Sequence, residues 1–404
     1  VVMFQPHRFT RTLALKDLFG LSFQKADHVF VADIYPASEA SIPGVTGQTV
    51  VDSALACGHP SAHFIPKTSK IHEAAGAVLE EGDLVLSLGA GNIHEAGNRL
   101  AGDLKNRDRL LEVMGPGRIK LYEPLSKHTT MRVGGPAQFW AEPETEEGFA
   151  DLVRFCFDES IPLMVMGRGS NLLVRDGGIP GVVVHLARGE FLNHEINGTE
   201  ISAGVGVKFK QLTALARTAG IAGFEWMEGI PGNLGGGLRM NAGAMGIQTF
   251  DQVVRVRYCD QDGNIFTKTP AEMEVHYRSV PMFRQNFALS AVLRGQPGTP
   301  AEIEAAIAAS VAKRRSSQPV AASSGCIFKN PASIPAGRLI EELGLKNLTV
   351  GAARVSEIHG NFIVNDGGAS TSDILALIAK IQRAARDKRG IPLETEVQIV
   401  GVDL

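Results

Sequence analysis

Three groups of residues have types and spacings that could do chemistry. The first is Met166-Gly167-Arg168-Gly169-Ser170-Asn171-Leu172, which follows the apolar run 161–165, so a strand would run into Gly-x-Gly-Ser-Asn. Such a turn can present successive backbone N–H groups as a nest for an anion. It has neither the GxGxxG spacing of dinucleotide folds nor the lysine of a P-loop, and the same letters also spell an ordinary turn. The second is Gly229-Ile230-Pro231-Gly232-Asn233-Leu234-Gly235-Gly236-Gly237, continuing to Asn241-Ala242-Gly243-Ala244-Met245-Gly246. Seven glycines in 229–246 are too many for a packed helix and unusual for a strand, since each loses backbone entropy on folding. A backbone wall against a planar or phosphorylated ligand fits better than a flexible loop, which would expose Ile230, Leu234, Leu238 and Met240. The third group is scattered: Tyr277-Arg278, Ser324-Gly325-Cys326-Ile327-Phe328-Lys329-Asn330-Pro331, and Glu396. Singly these read as a surface pair, a core cysteine and a solvated glutamate. His59 and His63 have the i,i+4 spacing of a metal pair, but Pro60 and the missing glutamate argue against a zinc helix, and no metal site is expected.

The elements that must position these residues change character along the chain. Residues 1–105 alternate strands (1–4, 28–34, 84–88) with helices (11–19, 49–57), a pattern that predicts a parallel α/β layer. The charged stretch 105–120, with Gly115-Pro116-Gly117, reads as a linker. Beyond residue 121 strands, glycine loops and isolated helices follow in mixed α+β order. Thr299-Pro300-Ala301-Glu302 is a capping box with proline at the first helical position, and Ile303, Ile307 and Val311 recur behind it at helical spacing through Arg315. Ile374, Leu377, Ile378 and Ile381 mark one face of a last helix, with Arg383, Arg386, Lys388 and Arg389 at its end and Gly390 and Pro392 as stops. The final strand, 393–400, alternates so that Glu394 and Glu396 share a face.

Composition bounds the function. The 404 residues suggest two or three domains at roughly 150 residues each. A net charge of −3 disfavours a nucleic-acid partner. No apolar run reaches the roughly 20 residues that span a bilayer, so no membrane partner is expected. Four cysteines without a CxxC pair suggest neither a zinc cage nor a disulfide framework, and a reducing, cytoplasmic setting fits. The chain begins Val1-Val2-Met3, mid-strand, as expected of an incomplete polypeptide.

Taken together, the motifs resemble the UDP-N-acetylenolpyruvoylglucosamine reductase (UDP-N-acetylmuramate dehydrogenase) family across 119–404. The resemblance rests on Thr129-Thr130-Met131-Arg132-Val133-Gly134-Gly135-Pro136-Ala137, the glycine segments beginning at Gly167 and Gly229, Tyr277-Arg278-Ser279, the segment Ser324 to Pro331, and Glu394-Thr395-Glu396-Val397. Their order and joint presence make it specific. It implies an α+β protein with a two-subdomain FAD-binding fold of the vanillyl-alcohol-oxidase type, 119–186 and 187–297, followed by a C-terminal α+β substrate domain, 298–404. It implies an NADPH-dependent flavoenzyme of peptidoglycan precursor synthesis that reduces UDP-N-acetylglucosamine enolpyruvate to UDP-N-acetylmuramate. FAD would be held by Gly167, Arg168, Gly169, Ser170, Asn171 and Leu172, by Gly229, Ile230, Pro231 and Gly232, and by Asn241, Gly243 and Ala244. Tyr277, Lys329 and Asn330 would bind substrate, with Arg314 a looser candidate.

The implied reaction sends hydride from flavin N5 to the terminal enolpyruvyl carbon, leaving carbanion character beside a carboxylate. That charge needs fixed partners where it develops. By family position Arg278 faces the carboxylate-enolate, protonated Glu396 donates to it, and Cys326 delivers the proton to the neighbouring carbon. The family most often has serine at the cysteine position. A thiol of ordinary pKa, about 8.5, is mostly protonated near neutrality and should still serve, at the cost of sensitivity to oxidation. Glu394 and Glu396, on one face, could raise each other's pKa.

Residues 1–105 resemble a different family, the C-terminal domain of UDP-N-acetylmuramate–alanine ligases. The carrying residues are Phe4-Gln5-Pro6-His7-Arg8-Phe9-Thr10-Arg11-Thr12, Asp33-Ile34-Tyr35-Pro36-Ala37, Gly82-Asp83-Leu84-Val85-Leu86 and Gly89-Ala90-Gly91. The resemblance implies a partial α/β ligase domain, joined by a linker at 106–118, within a fusion whose parent chain carries the missing ligase domains. Without a Walker-type lysine loop, ligation by this chain alone is not expected. Two competing readings are a ligase remnant whose flavin module only scaffolds, and another flavin enzyme of the same fold such as an alcohol oxidase.

Overall fold

The runs Val2–Gln5 and Val29–Ala32 become strands because β-branched and aromatic side chains fit a pleated, buried surface. The computed structural model describes residues 1–404 and divides into two units, 1–109 with 120–123, and 110–119 with 124–404. In the first unit the strands form an all-parallel sheet in the order Ala62–Ile65, Val29–Ala32, Val2–Gln5, Leu86–Gly89. The central Val-Phe-Val-Ala strand is buried along its whole length, as both faces of a parallel sheet require. Val29, Val31, Val50, Val51 and Ala54 form its core against the helix Gly47–Ala56. Thr46 caps that helix, and its first residue is glycine because a Cβ there would lie 2.2 Å from the Ala32 carbonyl oxygen.

The strand Ala62–Ile65 and the helix Ile71–Gly76 are absent from the sequence reading. Both are short, and the first is masked by the polar His59-Pro60-Ser61. His59 braces that loop: one ring nitrogen lies 2.8 Å from the Ala26 carbonyl oxygen and the other accepts from Ser61 N–H at 3.1 Å. Residues 106–114, assigned to the linker, continue the helix Ile93–Met114.

The second unit starts with parallel strands Pro136–Pro143, Ile179–Val184 and Leu163–Val165. A five-stranded antiparallel sheet follows, in the order His194–Asn197, Glu200–Gly204, Phe287–Arg294, Val253–Cys259, Ile265–Lys268. The last part packs a three-stranded sheet, Thr349–Val350, Ala353–Val355 and Ile363–Asn365, against the helix Thr371–Arg389. Ile374, Leu377, Ile378 and Ile381 are buried in that core, as their spacing predicts. Ser370 and Asp373 form its capping box and Gly390, at φ 65°, ends it. Thr299 and Glu302 cap the helix Pro300–Ser317 in the expected way.

The expected strand 393–400 is only partly one. Its first half gives its backbone to a neighbouring strap, with Lys329 N–H donating to Glu394 O and Glu396 N–H to Ile327 O. Only Gln398–Val400 pairs as a strand, parallel to Leu172–Val174. One extended segment therefore serves two partners, and Glu396 sits where it passes from one to the other.

Candidate active site

Three structural pieces of the second unit surround a cleft of about 1410 Å³: the turn after Leu163–Val165, the glycine-rich segment from Gly229, and the strap around Cys326. The turn forms because the chain must reverse against the segment at His128. Gly169 has φ +59°, and a Cβ there would lie 2.6 Å from the His128 carbonyl oxygen. Gly167 has nothing within 4 Å of a would-be Cβ, so its backbone faces open space. Gly167, Arg168, Gly169, Ser170, Asn171 and Leu172 all line the cleft. The Asn171 side chain, however, is turned to protein: its Nδ2 donates to the Glu396 carbonyl oxygen at 3.2 Å.

The glycine-rich segment corrects the sequence reading. Gly229, Ile230, Pro231 and Gly232 line the cleft as a loop, but Leu234–Met240 is a helix despite Gly235, Gly236 and Gly237. The reason is space. A Cβ on Gly237 would lie 2.1 Å from the Phe209 ring and one on Gly235 3.0 Å from Val205 Cβ, whereas one on Gly236 would have nothing within 4 Å. Two glycines thus let the helix press onto the Phe209 ring and onto Val205, and the third leaves the cleft wall as bare backbone. Propensity loss of roughly 1 kcal/mol per glycine relative to alanine is offset by full burial of Leu234 and Leu238. The helix ends at Asn241, which adopts φ 39°.

Gly243 and Ala244 line the cleft, whereas Asn241 does not. Asn241 is buried beneath the wall, where its amide donates to Gln248 Oε1 and to the His276 carbonyl and accepts from Phe250 N–H.

At one end of the cleft Arg278 and Glu396 meet. Arg278 Nε donates to Glu396 Oε1 at 3.0 Å, and its terminal nitrogens donate to the carbonyl oxygens of Asn241 (3.4 Å) and Gly243 (3.3 Å). Arg278 holds a left-handed φ of 57°, a strained choice for a side chain of that size. Its guanidinium lies 4.7 Å from the Tyr277 ring centroid. Burial raises the Glu396 carboxyl above its ordinary value, with Arg278 and Lys329 opposing. Burial also pushes the Cys326 thiol up to about 11; Glu396 adds to that rise, while Arg278, Asn361 and Arg314 counter it. Arg278, Cys326 and Glu396 all line the cleft.

Glu394 plays no part in the rise at Glu396. It is 74% exposed and accepts from Lys329 Nζ at 2.9 Å, so the expected coupling of the two carboxylates is replaced by an exposed ion pair.

The structure does not bring Tyr277, Lys329 or Asn330 into the cleft wall. Tyr277 is 58% exposed, Lys329 is turned to Glu394, and Asn330 Oδ1 accepts from Ala336 N–H at the start of the helix Ala336–Glu342. Arg314 does line the cleft, braced by Gln318 at 3.0 Å.

Three further wall residues lie inside the sequence motifs without a role of their own there. Thr130 Oγ1, Asn233 Oδ1 and Ser324 Oγ are buried atoms with no hydrogen-bond partner in the protein, and all three residues border the cleft. Buried polar atoms are ordinarily satisfied, so these three await a ligand. Lys127, Arg132, Arg168, Arg239 and Arg284 add positive charge, against only Glu228 and Glu396 among acidic wall residues. The volume exceeds the roughly 300–1,000 Å³ of ordinary ligand pockets, leaving room for a large cofactor and a second molecule. The bare Gly167 and Gly236 backbone, the unpartnered oxygens and the cationic wall therefore fit FAD.

Comparison with known proteins agrees. Residues 137–268 match the FAD binding domain and residues 318–400 the UDP-N-acetylenolpyruvoylglucosamine reductase C-terminal domain. The UDP-N-acetylenolpyruvoylglucosamine reductase of Clostridioides difficile is 43% identical over 305 residues, 74% of this chain and 100% of that protein. This chain belongs to the UDP-N-acetylenolpyruvoylglucosamine reductase family. It is an oxidoreductase, and FAD is its cofactor. The enzyme of that name from Alkalilimnicola ehrlichii is 41% identical over 289 residues, covering 71% of this chain and 96% of that one. The crystal structure of the reductase from Thermus caldophilus matches with a TM-score of 0.61 at 36% identity, over 70% of this chain and 99% of that chain. Both matched regions of the reductase family lie in the second unit.

Proposed function

We propose that the second unit reduces the enolpyruvyl ether of UDP-N-acetylglucosamine enolpyruvate to UDP-N-acetylmuramate in peptidoglycan precursor synthesis, with NADPH as reductant. The observation that carries this reading is the 3.0 Å contact of Arg278 with Glu396 on a cleft wall shared with the half-buried Cys326 thiol. The Gly167–Leu172 turn, Gly229 to Gly232, and Gly243 and Ala244 would hold FAD, which when bound would supply hydride chemistry toward the terminal enolpyruvyl carbon.

The chain's own residues handle the charge and the proton. Arg278, fixed by two backbone carbonyls and by Glu396, offers positive charge where the carboxylate-enolate develops. Burial shifts the Glu396 carboxyl toward its protonated form, the form that donates a hydrogen bond to the enolate. Cys326, protonated across the neutral range, transfers its S–H proton to the carbon beside the carboxylate; the sulfur keeps the electron pair and later regains a proton from water.

For the first unit we propose a partial C-terminal domain of a UDP-N-acetylmuramate–alanine ligase, part of a fusion of two peptidoglycan enzymes. Its four parallel strands support this. No helix of the protein is long and apolar enough to cross a membrane, which is compatible with a cytoplasmic enzyme. The test is NADPH oxidation by purified, yellow protein. Oxidation that requires the enolpyruvyl substrate and yields UDP-N-acetylmuramate supports the reading; FAD binding without such turnover leaves a scaffold instead.

A further inference from the structure

The strap that carries Cys326 lies outside every regular helix, and its backbone is tied from two sides. From one side Glu396 N–H donates to Ile327 O at 2.8 Å and Lys329 N–H to Glu394 O at 2.9 Å. From the other side Asn361 supplies the bonds to Ile327 and Phe328, the two residues after Cys326. The Asn361 carbonyl accepts from Ile327 N–H at 2.9 Å. Its Oδ1 accepts from Phe328 N–H at 2.9 Å and its Nδ2 donates to Phe328 O at 2.8 Å, so one carboxamide grips both polar atoms of one residue. Asn361 is only 2% exposed, and water cannot substitute for these partners. A carboxamide has a second N–H, and Asn361 is among the groups that draw the Cys326 thiol down against burial. Asn361 is itself fixed. Its N–H donates to His359 Nδ1 at 3.1 Å, within a loop closed by Ser356 N–H on Phe362 O at 2.8 Å.

We infer that Asn361 is a positioning residue for the reaction: it clamps the backbone that follows Cys326 and holds the thiol on the cleft wall beside Arg278 and Glu396. The inference rests on the role proposed above for Cys326. When the S–H proton passes to the substrate carbon, the sulfur keeps the bonding pair, and the second Asn361 N–H remains as a donor to the thiolate. Aspartate would keep the acceptor for Phe328 N–H but lose both donors.

The test uses the full chain carrying Cys57→Ser, since Cys156 and Cys259 are buried and Cys326 is then the remaining accessible thiol. Alkylation of Cys326 by iodoacetamide is followed against pH, beside kcat, KM and the reduction of bound FAD by NADPH. With Asn361→Asp the alkylation midpoint should move to higher pH and kcat should fall roughly ten- to a hundredfold, the range for one lost hydrogen bond to a charged group. KM and FAD reduction should hold. The small, uncharged Asn361→Ser repeats the measurement if the aspartate variant does not fold. In a Cys326→Ala background the further loss from Asn361→Asp should vanish, because the residue acts through the thiol. An unmoved midpoint with unchanged kcat, or an equal loss in the Cys326→Ala background, overturns the inference. Full turnover by Cys326→Ala alone overturns the role of Cys326, a separate failure, and removes that of Asn361 with it.

Discussion

Replacing the Cys326 thiol by a methyl group removes the proton donor and little else. Burial and Glu396 hold that thiol at about 11 against the pull of Arg278, Asn361 and Arg314. Near pH 7 such a group is ionised in about one molecule in 10⁴, and ionising it unaided takes about 5.4 kcal/mol. The acid is therefore fully loaded, and its cost of ionisation must be met by the cations around it as the proton leaves. Loss of a general acid ordinarily costs about 10²–10⁴ in rate. Cys326→Ala should thus turn over at least about a hundredfold more slowly, while anaerobic reduction of its FAD by NADPH stays within about twofold of the parent. Cys326→Ser should retain turnover, since a hydroxyl can also carry the proton. The thiol limb of the parent's rate should be absent at the ordinary value near 8.5–9 and appear as pH approaches about 11. Single-turnover and steady-state kinetics on the two variants read these quantities. A Cys326→Ala protein whose turnover stays within about threefold of the parent would refute the assignment.

Glu396→Gln is expected to remove whatever decline in rate accompanies ionisation of this carboxyl as pH rises through its raised value. Because the folded state disfavours the ionised form, stability is lost as pH rises through that value; the glutamine variant should melt higher at neutral pH and alike in acid, and equal melting at both would contradict this. Gly237→Ala forces a Cβ to 2.1 Å from the Phe209 ring and should destabilise by about 1–3 kcal/mol in denaturant titration. Gly236→Ala, with nothing within 4 Å, should gain up to about 1 kcal/mol of helix propensity yet weaken FAD binding, read by flavin fluorescence titration. A Gly236→Ala protein that binds FAD as tightly as the parent would show that this backbone does not touch the cofactor.

Much of this site is legible before folding because its chemistry is written in short contiguous stretches. The Gly167-to-Leu172 turn and the Gly229-to-Gly232 loop come to the cleft as read, and so do Arg278, Cys326 and Glu396. The errors have physical causes. Leu234–Met240 looked unlike a helix because glycine propensity was weighed without Phe209, 28 residues earlier in the chain (237 − 209), whose ring fills the place of a Cβ. Asn171 lines the cleft with its amide turned to the Glu396 carbonyl, and Asn241 lies beneath the wall with its amide on Gln248 Oε1 and the His276 carbonyl. Lys329 and Asn330 follow Cys326 closely, yet the strap turns their side chains to Glu394 and to a helix start. Thr130, Asn233 and Ser324 sit inside the motifs without a role of their own, and Asn361 in none of them, because what distinguishes these residues is which distant atoms they meet or fail to meet.

If this cleft reduces an enolpyruvyl ether with hydride and a thiol proton, FAD-loaded protein given UDP-N-acetylglucosamine enolpyruvate should consume NADPH and form UDP-N-acetylmuramate in equal amounts, both counted in one reaction. No NADPH should be lost when the enolpyruvyl substrate is withheld. NADPH oxidation indifferent to that substrate, or none at all with FAD bound, would contradict this reading.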